Sequence, residues 1–228
     1  MSLRVADRLG LADVMTLANA AVGVVAMTAA VLGEVQLIAQ LILLAAVADG
    51  LDGIIARTRG GTAVGPYLDS MADIVSFGTA PALFVFVAAN DVWGPLGDEP
   101  LYFAAAAGVA ALFVVFSLVR TVLYTVYVDE DENRPGIQNT LASSILAAAY
   151  LAGLTMVPAL LAATVVLSVL MVAPVPYPKL AARDALAMGV VQMGAIVAPT
   201  ALQRVFPRAL LVAALAYLTL APRFYWEE

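Results

Sequence analysis

The sequence contains no cysteine and no histidine, and only 12% of its 228 residues are charged. The first absence excludes disulfides, Cys-rich zinc sites and thiol nucleophiles, and the second removes imidazole acid/base chemistry. Any catalysis must therefore rest on carboxylates, Arg and Lys, hydroxyls or a bound metal. Scarce charge, set against 63% hydrophobic residues and a mean hydropathy of +0.97, excludes an ordinary soluble domain, a collagenous chain and a disordered one. Cations are the scarcer sign: eleven dispersed Lys and Arg face seventeen Asp and Glu, for a net charge of -6. Nucleic acid is excluded as a partner on that balance, because phosphate contacts need clustered positive charge.

What is present is length in apolar runs. At roughly 20 apolar residues per bilayer crossing, a chain of this size accommodates about six to eight helices with short loops. Apolar segments fall at 11–32, 36–58, 66–89, 101–126, 138–155, 157–173, 184–200 and 207–222. The expected fold is therefore all-α, a polytopic transmembrane helix bundle of about eight helices, with six as the alternative. Segments 138–155 and 157–173 are the least well separated, with only Thr155, Met156, Val157 and Pro158 between them. Arg4 and Arg8, ahead of the apolar run from Val14 to Leu32, have the look of a secretory leader, but the run is long enough for a spanning helix.

Orientation follows from the basic residues. With the N-terminus in the cytoplasm, Arg4, Arg8, Arg57, Arg59, Arg120, Arg134, Lys179, Arg183 and Arg223 fall inside or at inner helix ends, and only Arg204 and Arg208 fall outside. The stretch from Asp91 to Pro100 carries three acids and no base and suits an external loop. The run Asp129-Glu130-Asp131-Glu132 is read as a solvated cytoplasmic loop.

The informative feature is a set of acids within or beside two apolar segments: Asp49, Asp52, Asp69 and Asp73. Insertion scales charge about 2.5 to 3.5 kcal/mol for each such residue near a helix centre, so four unpaired ones approach roughly 10 kcal/mol. At 100° per residue Asp49, Asp52, Gly53 and Ala56 share about one third of a helix circumference, and Asp69 and Asp73 stack one turn apart on the next helix. Arg57 to Gly65 forms the turn between them, with Gly60-Gly61 and Gly65 supplying flexibility and Pro66 suiting a first helical turn. Four converging carboxylates beside one Arg need cations. An all-oxygen ligand set favours Mg²⁺, Mn²⁺ or Ca²⁺. Two such ions would cancel the charge, and paired metals are a usual device for holding a diphosphate. Gly53 and Ala56 leave a shallow channel beside the acids; the alternative for them is close helix packing.

These residues resemble the signature of the CDP-alcohol phosphatidyltransferases, D-x2-D-G-x2-A-R followed after roughly eight residues by G-x3-D-x3-D. The matching positions are Asp49, Asp52, Gly53, Ala56, Arg57, Gly65, Asp69 and Asp73, with seven residues between Arg57 and Gly65. The flanks, Leu68 to Pro81, look most like the phosphatidylserine synthase branch, with Ser70 and Ile74 where the glycerol-phosphate branch has Pro and Lys. Thr16, Asn19 and Gly23 match a T-x2-N-x3-G pattern, although Ala12-Asp13 stands in place of Pro-Asn, and Leu170-Met171-Val172 through Tyr177-Pro178 to Lys179 is similar to a feature of the same branch.

The resemblance implies a single integral-membrane domain over residues 1–228 with its motif at 49–73, transferring a phosphatidyl-type group from a CDP-activated lipid to L-serine with release of CMP. It implies Asp49, Asp52, Asp69 and Asp73 as ligands of two Mg²⁺ or Mn²⁺ ions, Asp73 as general base, and Thr16, Gly53, Ala56, Arg57 and Gly65 around the cytidine diphosphate. Arg120, at the inner end of the fourth helix, is expected to meet the serine carboxylate or a substrate phosphate, or else to snorkel to water. The resemblance also implies a homodimer in the plasma membrane with its site facing the cytoplasm. The acidic loops and a sequence pI near 4.5 resemble salt-adapted proteins, for which the donor would be CDP-archaeol and the product archaetidylserine. Other acceptors, such as glycerol phosphate or inositol phosphate, and an Asp-lined divalent-cation transporter are the competing functions.

Overall fold

The computed structural model describes residues 8–127, 134–178 and 182–225. Arg4, the acidic run 129–132 and Lys179 lie outside the described residues, as do the side chains of Arg134 and Arg183. Eight helical rods follow one another among the described residues: α1 Leu11–Val31, α2 Val35–Arg59, α3 Gly65–Trp93, α4 Pro100–Tyr127, α5 Asn139–Leu151, α6 Val157–Met171, α7 Ala182–Val197 and α8 Ala201–Phe224. The chain is an all-α integral-membrane bundle. Five rods, α1 to α4 and α8, are long and apolar enough to cross a bilayer. The other three have 13, 15 and 16 residues, about 20 to 24 Å at 1.5 Å per residue, short of a hydrocarbon core of about 30 Å.

The expected segment 138–155 is cut short for a local reason. Gly153 takes a left-handed φ of 101° just past the end of α5, its N–H bonds to Tyr150 O, and the Leu154 N–H bonds to Ala149 O, which closes the last carbonyls of the helix. Pro158 then sits in the first turn of α6, where a missing N–H is harmless. At the other margin α8 starts before the expected residue 207. Leu202, Gln203 and Arg204 adopt left-handed φ of 48°, 56° and 66°, so right-handed helix resumes at Val205 and Pro207 falls in its first turn.

The third rod is not one regular α-helix. α-Helical turns over Gly65–Asp73 give way to a π-helical segment, Ile74–Thr79, before α-helix resumes at Ala80. Pro81 explains the position: in a continuous α-helix its ring would meet the carbonyl of Phe77 and its absent N–H would orphan it. The wider turn relieves that contact, and Thr79 Oγ1 donates to Ile74 O at 3.0 Å. Such bulges recur beside functional residues, and this one begins at the residue after Asp73.

Packing inverts the soluble pattern. On α4, Val115, Leu118, Val119, Val122, Leu123 and Val126 are exposed and form a lipid-facing stripe, while Ser117, Arg120 and Thr121 on the opposite face are buried. The core between helices is apolar: Ile38, Ile42 and Leu43 of α2, Phe77 and Phe84 of α3, Phe113 of α4, and Leu146 and Leu151 of α5 are fully buried. Phe84 meets Tyr150 edge to face at 5.4 Å, a favoured aromatic geometry.

A two-stranded ribbon ties two connections together: β1 Arg134–Pro135 pairs antiparallel with β2 Pro176–Tyr177. Beside it Gly136, at φ 77°, lies against the Met171 carbonyl so closely that no side chain fits, and the Ile137 N–H bonds to Leu170 O at 3.1 Å. Tyr177 Oη donates to Leu218 O at 3.1 Å, and burial raises its phenol above the ordinary tyrosine value. The segment 170–177 thus braces the start of α5. The ribbon, the turn between α2 and α3, and the start of α1 share one end of the bundle. At the other end Arg204 Nη1 donates to Leu151 O at 2.9 Å.

The α1–α3 contact tests this packing. A Cβ on Gly23 would stand 2.9 Å from Ser76 Cα and 2.5 Å from Ser76 Oγ, so Gly23→Ala is expected to lower stability by about 1 to 3 kcal/mol. Gly108→Ala, with no atom near its Cβ, is the control. Thermal unfolding of the detergent-purified variants checks both, and equal melting temperatures would refute the close approach.

Candidate active site

α2 runs from its apolar half into the sequence Ala48 to Ala56, and α3 returns from the turn at Gly60 to Val64, so the acids of both helices meet near that end of the bundle. Asp49, Asp69 and Asp73 each offer one carboxylate oxygen, and the three oxygens lie within 4.8 Å of one another. Asp69 is exposed and the other two are partly buried. Asp73 Oδ1 is buried without a hydrogen-bond partner among the described residues. Asp49 Oδ2 accepts from Thr140 Oγ1 of α5 at 3.4 Å.

Asp52, expected with the other three, takes a separate position. It is buried, and its Oδ2 accepts from Thr16 Oγ1 of α1 at 2.7 Å. It remains within electrostatic reach of Asp49 and Asp69. Thr16 is thereby placed at the site, through Asp52. One turn on, Asn19 is fully buried and neither of its amide atoms has a partner among the described residues, a state that costs about 1 to 3 kcal/mol unless a bound group satisfies it.

The glycines differ in role. A Cβ on Gly53 would meet only the tip of Arg57, at 3.9 Å, so the open channel holds and helix packing does not explain this glycine. Ala56 is partly buried one turn along the same face. Arg57 is exposed and its Nε donates to Gly53 O at 3.0 Å. At Gly65 a Cβ would stand 3.2 Å from Asp13 Oδ1, so this residue permits the turn to close on α1.

Arg120 is only 7% exposed, with its guanidinium 5.1 Å from the Tyr124 ring centre. A snorkelling side chain would reach water, so that alternative is corrected. The guanidinium instead interacts electrostatically with Asp73. Beside it, Asn139 Nδ2 donates to Thr121 Oγ1 at 2.8 Å. Ser70 and Ser76 are engaged within the protein: Ser70 Oγ lies 2.7 Å from Thr125 Oγ1, and Ser76 Oγ donates to Asn19 O at 3.0 Å.

Sequence reasoning missed three members of this site. Asp13 is 2% exposed, and its Oδ2 accepts from the Gly10 N–H at 2.7 Å and from Thr62 Oγ1 at 2.8 Å. An acid in the first apolar segment was the available signal. Thr140 and Asn139 carried none, because their partners are distant in sequence and their residue types are common in loops.

The donor set fits a hard divalent cation. Ligand distances of roughly 2.0 to 2.6 Å put opposing oxygens about 4 to 5 Å apart around one ion, which matches the 4.8 Å spread. Mutual repulsion of three carboxylates and the unpartnered Asp73 oxygen point the same way. Three acids thus address one centre, with Asp52 alongside.

The sequence model of the CDP-alcohol phosphatidyltransferase family matches residues 9–174. The chain belongs to that family and is a membrane-embedded transferase. It is 27% identical over 179 residues to an archaetidylserine synthase of Methanothermobacter thermautotrophicus, covering 77% of this chain and 72% of that protein. It is 33% identical over 87 residues to a CDP-diacylglycerol-serine O-phosphatidyltransferase of Helicobacter pylori, covering 38% of this chain and 33% of the relative. A protein of that name from Mycobacterium tuberculosis is 36% identical over 88 residues, 38% of this chain and 30% of its own length.

The clasp at Asp13 makes a prediction of its own. Replacing Asp13 by Ala removes the one hydrogen bond that ties Thr62 of the turn to α1, together with the Gly10 N–H bond that caps α1; loss of the first loosens the turn by about 1 to 2 kcal/mol. Trypsin cleavage after Arg57 and Arg59 in the purified protein is expected to speed up roughly fivefold to thirtyfold. An unchanged cleavage rate would show that the turn is held by other means.

Proposed function

We propose that the chain transfers a phosphatidyl-type group, from CDP-archaeol or CDP-diacylglycerol, to L-serine and releases CMP. The observation that carries this reading is the meeting of Asp49, Asp69 and Asp73 beside buried Arg120, at the end of a bilayer-spanning bundle. A lipid diphosphate and a small polar acceptor need that combination of charges. The names of the relatives, two of them serine phosphatidyltransferases and one an archaetidylserine synthase, support serine as acceptor.

In this reading Asp49, Asp69 and Asp73, with Asp52 alongside, hold Mg²⁺ or Mn²⁺. Divalent charge at that centre would bind the diphosphate oxygens and make CMP a better leaving group. Gly53 and Ala56 leave room for the cytidine diphosphate to approach α2, Arg57 and Thr16 flank it, and Gly65 keeps the turn closed beneath it. Asp73 takes the proton of the serine hydroxyl through its unpartnered Oδ1. The serine oxygen then bonds to the lipid-bearing phosphorus as the bond from that phosphorus to the CMP oxygen breaks. Arg120 holds the serine carboxylate close to Asp73. The enzyme forms a single domain, works as a homodimer, and faces the cytoplasm.

The direct test is CMP release by the purified protein from each CDP-lipid, with Mg²⁺ or Mn²⁺. L-Serine is expected to be required, EDTA to abolish release, and Asp73→Asn to lower kcat by about 10² to 10⁴-fold, the usual contribution of a general base. Release only with another alcohol would overturn the serine assignment, and no release with any acceptor would overturn the enzymatic one.

Orientation is tested separately, helped by the absence of native cysteine. Gly61→Cys and Gly97→Cys both fall at exposed, uncrowded turns. In intact cells a membrane-impermeant maleimide is expected to label only the second, and labelling of the first would invert the topology.

A further inference from the structure

The acidic centre occupies one face of α2, and an adjoining face of the same turns borders a groove of about 510 Å³ between α2, α5, α7 and α8. The volume lies in the range of ligand sites. Its walls are mostly apolar, with polar side chains from Gln138, Thr140 and Ser144 at the start of α5 and along it, Gln192 of α7 and Tyr217 of α8. Thr140 connects the two sites: it lines the groove and donates to Asp49 Oδ2. The groove therefore adjoins the carboxylates at Thr140 and continues into mostly apolar surroundings, the polarity profile of a lipid held by its head group.

The same geometry shows where it opens. Two amide side chains join α7 to α2: Gln40 Nε2 donates to Ile196 O and Gln192 Nε2 donates to Leu43 O. Both contacts lie on the side of the groove away from the motif. Between Ala46 and Ile54 the facing surfaces part, with Gly50 of α2 and Gly189 of α7 on the walls. A Cβ at either glycine would meet no atom within 4 Å, so neither glycine is there for close packing. Leu51, Leu186 and Val190 are exposed apolar side chains around this gap, and Met188 and Met193 add flexible wall. α7 and α8 follow residue 174, where the family match ends.

We propose that this groove seats one hydrocarbon chain of the CDP-lipid donor, which enters from the bilayer between Gly50 and Gly189. The proposal rests on the transferase reading above and adds to it the C-terminal helix pair as the wall that reads the lipid chain. A bulk membrane lipid has no need of the link to Asp49.

Leucine at either glycine should project into the groove, since a Cβ there meets no atom within 4 Å among the described residues. The measurement is kcat/KM for a long-chain CDP-lipid, CDP-archaeol or CDP-dipalmitoylglycerol, relative to the short-chain CDP-dihexanoylglycerol, in micelles of fixed composition. The ratio cancels any loss of folded enzyme. Gly189→Leu and Gly50→Leu are each expected to lower it at least tenfold, and a ratio within twofold of wild type would overturn the proposal. A second readout does not depend on turnover. A CDP-lipid with a diazirine on its chain should label peptides containing Met188 or Met193, and unlabelled CDP-lipid should compete where phosphatidylglycerol does not. Equal competition by phosphatidylglycerol would assign the groove to bilayer lipid and overturn the proposal. Specific labelling with no turnover by the wild type would sustain the groove and sink the transferase reading instead.

Discussion

Three carboxylate oxygens held within 4.8 Å of one another in an apolar bundle repel strongly, and the partly buried Asp49 and Asp73 also lose hydration. The surrounding structure answers that constraint from several helices at once. Thr16 of α1 donates to Asp52, and Thr140 of α5 donates to Asp49. Arg120 of α4, itself buried against Tyr124, sets a positive charge near Asp73. These contacts reduce the cost without cancelling it, because one guanidinium faces a set of four acids. What is left over is a site suited to cationic charge, on which the proposed binding of a diphosphate depends. In that proposal the destabilising feature and the functional one are the same group of residues, as is common where activity requires strain or buried charge.

Positioning such a cluster demands rigidity of the helices that carry it. α1 lies close against α3 because Gly23 admits Ser76, and the Ser76 hydroxyl is consumed by a carbonyl of α1. The turn joining α2 to α3 is clasped to α1 through Asp13 and Thr62. α5 is presented at the correct height by the ribbon and by the Gly136 contact with Met171. The π-helical segment after Asp73 lets α3 pass Pro81 without a kink in the turns that bear Asp69 and Asp73. Each device is local, and together they hold side chains from five helices at one point.

The opposite requirement applies on the outside. A transferase whose donor is an amphiphile must offer polar chemistry to one end of a molecule and hydrocarbon to the other. The polar-in, apolar-out arrangement of α4 satisfies this for the helix as a whole, and the proposed role of the groove between α2 and α7 is to satisfy it for a single molecule. The pairing of adjoining faces on α2, one carrying Asp49 and Asp52 and the other Gly50 and Ile54, places the two environments within one or two turns of the same helix.

Much of this was determined by the sequence alone. Long apolar runs leave few choices in a bilayer, since backbone groups must bond within a helix, so the eight rods were legible at close to their observed positions. The acids were legible as well, because charge in such runs is costly and the i, i+3 and i+4 spacing puts Asp49 with Asp52, and Asp69 with Asp73, on single faces. Tertiary structure decided the rest. That Asp52 turns to Thr16 while the other three acids converge depends on how α1 crosses α2, which no periodicity encodes. Thr140 and Asn139 entered the site from a helix whose sequence marks them as ordinary polar residues near a turn. Burial of Arg120 depended on which face of α4 looks inward, and the ends of α5 and α8 on left-handed turns at Gly153 and at Leu202 to Arg204. Helical periodicity fixes which residues share a face. Only the packing of one helix on another determines what that face meets.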